Sequence, residues 1–143
     1  MNKVQISDFS KKNELRVELF DSGIPAGFPS PAQGYNGDAI DLNTELIRHP
    51  ASTFCARVSG YSMKDCGIDD GDLLIVDKSL PVRDGDIAVC FLDGEFTLKR
   101  ISVTGEGLFL VPANEAYRPI RVSEENHFQV WGIVTSVIKK IRK

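Results

Sequence analysis

Ile87-Ala88-Val89-Cys90-Phe91-Leu92-Asp93-Gly94-Glu95-Phe96-Thr97-Leu98-Lys99-Arg100-Ile101 is the stretch whose reading decides the fold class. Two runs rich in apolar and β-forming residues flank Asp93-Gly94, a dipeptide favoured in two-residue type I′ turns because both of its residues tolerate positive φ. The pattern predicts a β-hairpin with strands over 87–92 and 95–101. Alternation along the second strand puts Lys99 on one face with Thr97 and Ile101, and Arg100 on the other with Phe96 and Leu98. Periodicity alone does not say which of the two faces is buried.

Working outward, the same β signals recur. Phe54, Ala56 and Val58 alternate with Cys55, Arg57 and Ser59, as a half-buried strand does, and Leu73-Leu74-Ile75-Val76 reads as a more deeply buried one. Residues 108–111 and 128–138 add two more strands, with Thr104-Gly105-Glu106-Gly107 as a turn. Helical signals are sparse: Asp41 or Asn43 as N-cap, Leu42, Leu46 and Ile47 on one face, and Pro50 as a stop predict one short helix. Met63-Lys64-Asp65-Cys66 forms a helical turn that Gly67 can close. The expected architecture is mostly β: a compact β domain over 39–143 with one or two short helices.

The first 38 residues read differently. Val4/Ile6 and Leu15/Val17/Leu19 alternate in a way that suits addition to a sheet edge, and then Gly23, Pro25, Gly27, Pro29, Pro31, Gly34 and Gly37 follow closely. Such density of Pro and Gly keeps peptide bonds extended and reachable. Residues 1–38 are therefore expected to form an extended N-terminal arm.

Composition narrows the function classes. With 143 residues, 42% hydrophobic and 26% charged, the chain suits one globular domain plus an extension. Nothing approaches the roughly 20 apolar residues of a membrane span, and residues 1–22 lack a signal-peptide core, so a cytoplasmic location without membrane contact is expected. Three cysteines without a C-x-x-C pair, and two histidines, support neither a disulfide framework nor a metal site. The net charge is -3, and the basic residues cluster only at Lys139, Lys140, Arg142 and Lys143, which reads as a solvated tail rather than a DNA-binding stripe. No cofactor is implied.

Ser62, in Ser59-Gly60-Tyr61-Ser62-Met63, invites two readings. A serine in a Gly-containing stretch before a helical turn is an ordinary turn former or cap. The same place suits a nucleophile, since backbone N–H groups at a helix start can stabilise an oxyanion. Lys99 is similarly divided: it is a solvated strand lysine, or, if its face is the buried one, an amine whose lowered pKa lets it take a proton from a serine hydroxyl. His49 and His127 stand in no obvious triad context and read as surface or packing residues.

Taken together, Gly27-Phe28-Pro29-Ser30-Pro31-Ala32, Ile40-Asp41-Leu42-Asn43 with His49-Pro50, Ser59-Gly60-Tyr61-Ser62-Met63, Gly71-Asp72-Leu73-Leu74-Ile75-Val76-Asp77 and Asp93-Gly94-Glu95-Phe96-Thr97-Leu98-Lys99 resemble the LexA/UmuD-like family of self-cleaving serine peptidases. The likeness runs in order from about Ile24 to the C-terminus. It implies Ser62 as nucleophile, Lys99 as general base and Ala26-Gly27 as the bond cut. Ala26 and Gly27 are small enough for a narrow cleft, and an extended chain advances about 3.3 Å per residue, so attack within one subunit or across a dimer is sterically possible. The resemblance further implies an SOS DNA-damage role in translesion synthesis. The partners would be a RecA–single-stranded DNA filament, an UmuC-like error-prone polymerase subunit and a second copy of the chain.

Two positions depart from the polymerase-subunit branch, which often carries an acidic residue where Tyr61 stands and a cysteine where Ala26 stands; both look more like the repressor branch. Only residues 1–26 precede the bond, too few for a three-helix DNA reader, so direct sequence-specific DNA binding is not expected. A non-enzymatic polymerase-binding module with an inactive dyad is the alternative, and a signal-peptidase-like enzyme is disfavoured by the lack of an anchor. For the dimer interface, the edge of the strand around Trp131 to Ile138 and the apolar positions of the arm are the candidates, and both read equally well as core.

Overall fold

The structure is a computed structural model that describes residues 3–8, 16–20, 35–61, 63–111, 118–123 and 127–142. The chain divides into two compact units, residues 10–48 and residues 1–9 with 49–143. The fold is mostly β, with ten strands among the described residues.

In the smaller unit, β2 (Arg16–Phe20) pairs antiparallel with β3 (Tyr35–Asp41), with Val17 opposite Ile40. β3 begins at Tyr35, inside the Gly- and Pro-rich stretch expected to belong to the extended arm. Strand pairing there supplies the hydrogen bonds that local composition does not predict. Asp41 is the N-cap of helix α1 (Leu42–Leu46): its Oδ1 accepts from the Asn43 N–H at 3.1 Å and its Oδ2 from the Thr44 hydroxyl at 2.7 Å. The helix ends at Leu46, before Pro50. That proline instead opens a 3-10 turn, Pro50–Ser52, a place where its missing N–H is no loss.

The larger unit is an eight-stranded sheet of order β1-β4-β5-β10-β6-β7-β8-β9. Its strands are β1 (Lys3–Asp8), β4 (Thr53–Ser59), β5 (Leu73–Asp77), β6 (Ile87–Leu92), β7 (Glu95–Thr104), β8 (Gly107–Val111), β9 (Ile120–Arg121) and β10 (Gln129–Ile138). β1 adds at the sheet edge beside β4, with Val4 opposite Val58 and Ile6 opposite Ala56. The β6–β7 hairpin has the expected register, Leu92 opposite Glu95, and both turn residues have positive φ, 49° at Asp93 and 87° at Gly94. These are the signs a type I′ turn requires.

β10 stands between β5 and β6 in the sheet, pairing with β6 along Gln129–Ile133 and with β5 along Ile133–Ile138, so that beyond Ile133 the ladder to β6 does not continue. Its register slips between Val130 and Gly132 and again between Val134 and Ser136. Bulges of this kind bend a strand so that it can serve two neighbours. Gly132 is dictated by proximity, because a Cβ there would lie 2.6 Å from Val76 Cγ1.

The sheet buries apolar residues on both faces. One cluster joins Phe54, Ala56 and Val58 of β4, Leu74 and Val76 of β5, Val89 and Leu98 of the hairpin, and Met63 and Ile68 from the β4–β5 connection. The other joins Ala88, Cys90, Ile101, Leu110 and Ile133. Strands buried on both sides read as continuous apolar runs, which is the pattern of residues 87–92. Among the described residues, no helix is long and apolar enough to cross a membrane.

Candidate active site around Lys99

β7 places its two cations in opposite environments. Arg100 is exposed, and its guanidinium donates to Cys66 Sγ at 2.8 Å. Lys99 is 7% exposed. Register sets Ala88 of β6 directly opposite Lys99 and Cys90 opposite Thr97, so Lys99 lies on the face of the second apolar cluster. Burial lowers the Lys99 pKa from its ordinary value, and interaction with Cys90 opposes that only partly. Desolvation disfavours the ammonium, and an amine that sheds its proton more readily is the form a general base needs.

Ser62, Ala26 and Gly27 lie outside the described residues. The chain on either side of Ser62 is well anchored. Before it, the Gly60 N–H donates to Asp70 Oδ1 at 2.9 Å, and Tyr61 is exposed. After it, Met63 is 1% exposed in the cluster with Leu98, and Lys64–Cys66 forms a single 3-10 turn closed by Gly67 at φ 79°. This turn begins one residue later than expected, with Met63 as the flanking residue. Two of its backbone donors are engaged: Lys64 N–H bonds the Tyr61 carbonyl at 3.3 Å and Cys66 N–H the Met63 carbonyl at 3.0 Å. A three-residue turn lacks the macrodipole that a longer helix start would bring to an oxyanion. The Cys66–Arg100 contact nonetheless ties the turn that follows Ser62 to the strand that carries Lys99.

A second polar cluster was not visible in the sequence. His49 Nδ1 lies 2.6 Å from Asp77 Oδ2, and Asp77 Oδ1 accepts from the Ser52 hydroxyl at 2.9 Å, the Ser79 hydroxyl at 2.7 Å and the Ser79 N–H at 2.8 Å. Burial pushes the Asp77 carboxyl up, but the bonds from His49, Ser79 and Ser52 outweigh it and hold the group down at about 2. Serine, histidine and aspartate meet here in the wrong order for a triad. Catalysis needs the imidazole between hydroxyl and carboxylate, whereas both hydroxyls go directly to the carboxylate. The cluster fastens the start of β4 to the end of β5. Residues 49, 52, 77 and 79 lie too far apart in the chain for the pattern to be read, although His49 before Pro50 and Asp77 at a strand end were separate signs.

A groove of about 480 Å³ is lined by residues that include Arg57, Asp69, Asp72, Ile138 and Lys139. Within it Lys139 Nζ bonds Asp69 at 2.5 Å and Asp72 at 2.6 Å, and Arg57 donates to the Gly71 carbonyl at 2.9 Å. No cluster of three or more potential metal ligands occurs among the described residues, and the three cysteines are free thiols.

Comparison with known proteins agrees with the peptidase reading of this region. The chain matches the family described as Peptidase S24-like over residues 18–135. It is 46% identical over 124 residues to Protein SamA of Salmonella typhimurium (strain LT2), a match covering 87% of this chain and 86% of SamA. It is 38% identical over 135 residues to Protein MucA of Escherichia coli, covering 93% and 92%, and 39% identical over 131 residues to Protein ImpA of Shigella flexneri, covering 87% and 85%. With so much of its length matched, the chain belongs to the Peptidase S24-like family, in keeping with the LexA/UmuD-like resemblance of its serine and lysine motifs.

Proposed function

We propose that this chain is a self-cleaving serine peptidase of the SOS DNA-damage response that cuts its own Ala26-Gly27 bond when stimulated by RecA filaments. On this reading residues 1–38 are the cleavable arm and residues 39–143 the peptidase-like domain, which acts in the cytoplasm. The observation that carries it is the burial of Lys99 on an apolar face with its pKa lowered. Family membership and the tie between the turn after Ser62 and β7 support it further.

The chemistry follows from a neutral amine. Lys99 Nζ takes the proton of the Ser62 hydroxyl as Oγ bonds to the Ala26 carbonyl carbon. The tetrahedral adduct collapses with breakage of the C–N bond, and the Lys99 ammonium returns its proton to the departing Gly27 amine. Water then attacks the Ser62 ester while Lys99 accepts one of its protons. Cleavage of the ester bond leaves an Ala26 carboxylic acid, which loses its proton to solvent, and Lys99 gives the other proton back to Ser62. The serine and lysine are restored, and a chain beginning at Gly27 is released. Because the substrate is tethered, a weak site suffices: effective concentration replaces binding affinity. The product, as a homodimer, would join an UmuC-like error-prone polymerase subunit in translesion synthesis.

Incubation of the purified chain with and without RecA–single-stranded DNA filaments, at neutral and alkaline pH, tests this directly. Mass spectrometry is expected to find a fragment starting at Gly27 from the unsubstituted chain and none from Ser62→Ala or Lys99→Ala. A chain that stays intact in every condition while still binding the polymerase subunit is the non-enzymatic module with an inactive dyad.

A further inference from the structure

The face that holds Lys99 carries another polar atom, which the proposed reaction does not use. Cys90 is 0% exposed and stands opposite Thr97, diagonal to Lys99 across the β6–β7 ladder. Diagonal cross-strand neighbours are about 7–8 Å apart, within reach of a long side chain. The Cys90 thiol donates weakly to the Ala88 carbonyl on its own strand, at 3.8 Å, and Ala88 is the residue directly opposite Lys99. Packed into the same cluster are Ile101 of β7, Leu110 of β8 and Ile133 of β10, none of which titrates or carries charge. Cys90 is a titratable group that acts on Lys99, its charged form working against the lowering by burial. Burial pushes the Cys90 thiol up to about 12, with the Lys99 charge pulling the other way.

We propose that Cys90 is a positioning residue for Lys99: as an uncharged thiol it fills the apolar face beside the amine and withholds the anion that would keep the amine protonated. This rests on the reading of Lys99 as the base. A buried thiol packs as a small apolar side chain. It therefore excludes water from the lysine without providing a counter-charge. A carboxylate in the same place would stabilise the ammonium and return Lys99 toward its ordinary value.

The test uses the full chain with Ser62→Ala, so that no cleavage intervenes, and follows Lys99 protonation by the NMR shift of its Cε carbon, assigned through Lys99→Arg. Cys90→Val, Cys90→Asn and Cys90→Asp are compared in that background, and their pH–rate profiles for cleavage are measured with Ser62 intact. Cys90→Val and Cys90→Asn should leave the Lys99 inflection in place, and Cys90→Asp should raise it by about 1–3 pH units. A folded Cys90→Asp protein with an unmoved Lys99 overturns the proposal. If the buried acid prevents folding, the unsubstituted Cys90 decides. Lys99 must lose its proton at lower pH than the thiol, read at the Cys90 Cβ carbon, and the reverse order overturns the assignment. A Lys99 inflection that moves while the cleavage profile stays fixed upholds the Cys90 role and rejects Lys99 as the base, so the two claims fail separately.

Discussion

Asp77 and Lys99 are both almost fully buried ionisable residues of the same sheet, 4% and 7% exposed, yet their protons go opposite ways. At the β4–β5 corner, four hydrogen bonds from His49, Ser52 and Ser79 more than offset desolvation, and Asp77 is held ionised down to about pH 2. On the β6–β7 hairpin, desolvation wins, and Lys99 is pushed toward its neutral form. Burial by itself therefore does not mark a reactive group. The direction of the shift separates a structural clasp, pushed toward its charged form, from a group poised to accept a proton.

The strongest way to break this comparison is to fix the charge on Lys99. Lys99→Arg keeps a cation that cannot act as a base and should slow self-cleavage by about 10²–10⁴-fold, measured as appearance of the Gly27 fragment. Cleavage at the original rate would remove Lys99 from the chemistry. At the clasp, Asp77→Asn should lower stability by about 1–3 kcal/mol in denaturant titration, because one of the two accepting oxygens becomes an NH2 and the charge that strengthens the remaining bonds is lost. Its cleavage rate under folding conditions should stay near that of the unsubstituted chain.

Lys99→Met sharpens the contrast from the other side. Removing a buried amine should stabilise the fold by about 0.5–2 kcal/mol at neutral pH while abolishing the cut. The pH dependence of stability should also divide by site. The Asp77 carboxyl has a folded value below its ordinary 3.8, so its contribution is present above about pH 4 and lost as pH falls toward 2. Lys99 has a folded value below its ordinary 10.5, so the unfolded chain holds its proton longer and the penalty of burying the amine fades as pH rises toward that value. Acid unfolding curves of Asp77→Asn and the unsubstituted chain should converge only as pH falls to about 2. The smallest effect is expected at Cys66→Ala, which removes the tie to Arg100 and should reduce stability by about 0.5–1.5 kcal/mol, with a modest slowing of cleavage.

How much of this was readable in advance depends on how local the cause was. The β6–β7 hairpin was legible because Asp93-Gly94 sets the turn through its own backbone, and β4 because Phe54, Ala56 and Val58 alternate. Asp41 as a cap and Gly67 as a closing residue are likewise local. The burial of Lys99 was not legible: it depends on the sheet having apolar clusters on both faces, which only the strand order produces. The same holds for β10: its place between β5 and β6, its two bulges and the close approach of Gly132 to Val76 follow from the strand order and not from its own apolar stretch. The His49–Asp77 clasp joins residues 28 positions apart and leaves no periodic trace.

The central claim is that a neutral Lys99 drives the cut, and the pH–rate profile of self-cleavage tests it most directly. With RecA filaments held saturating, the rate of Gly27 fragment formation should rise about tenfold per pH unit and level off at a pH below the ordinary lysine value of 10.5, with Lys99→Arg flat and near zero throughout. A rate that is independent of pH, or that survives Lys99→Arg, contradicts the account.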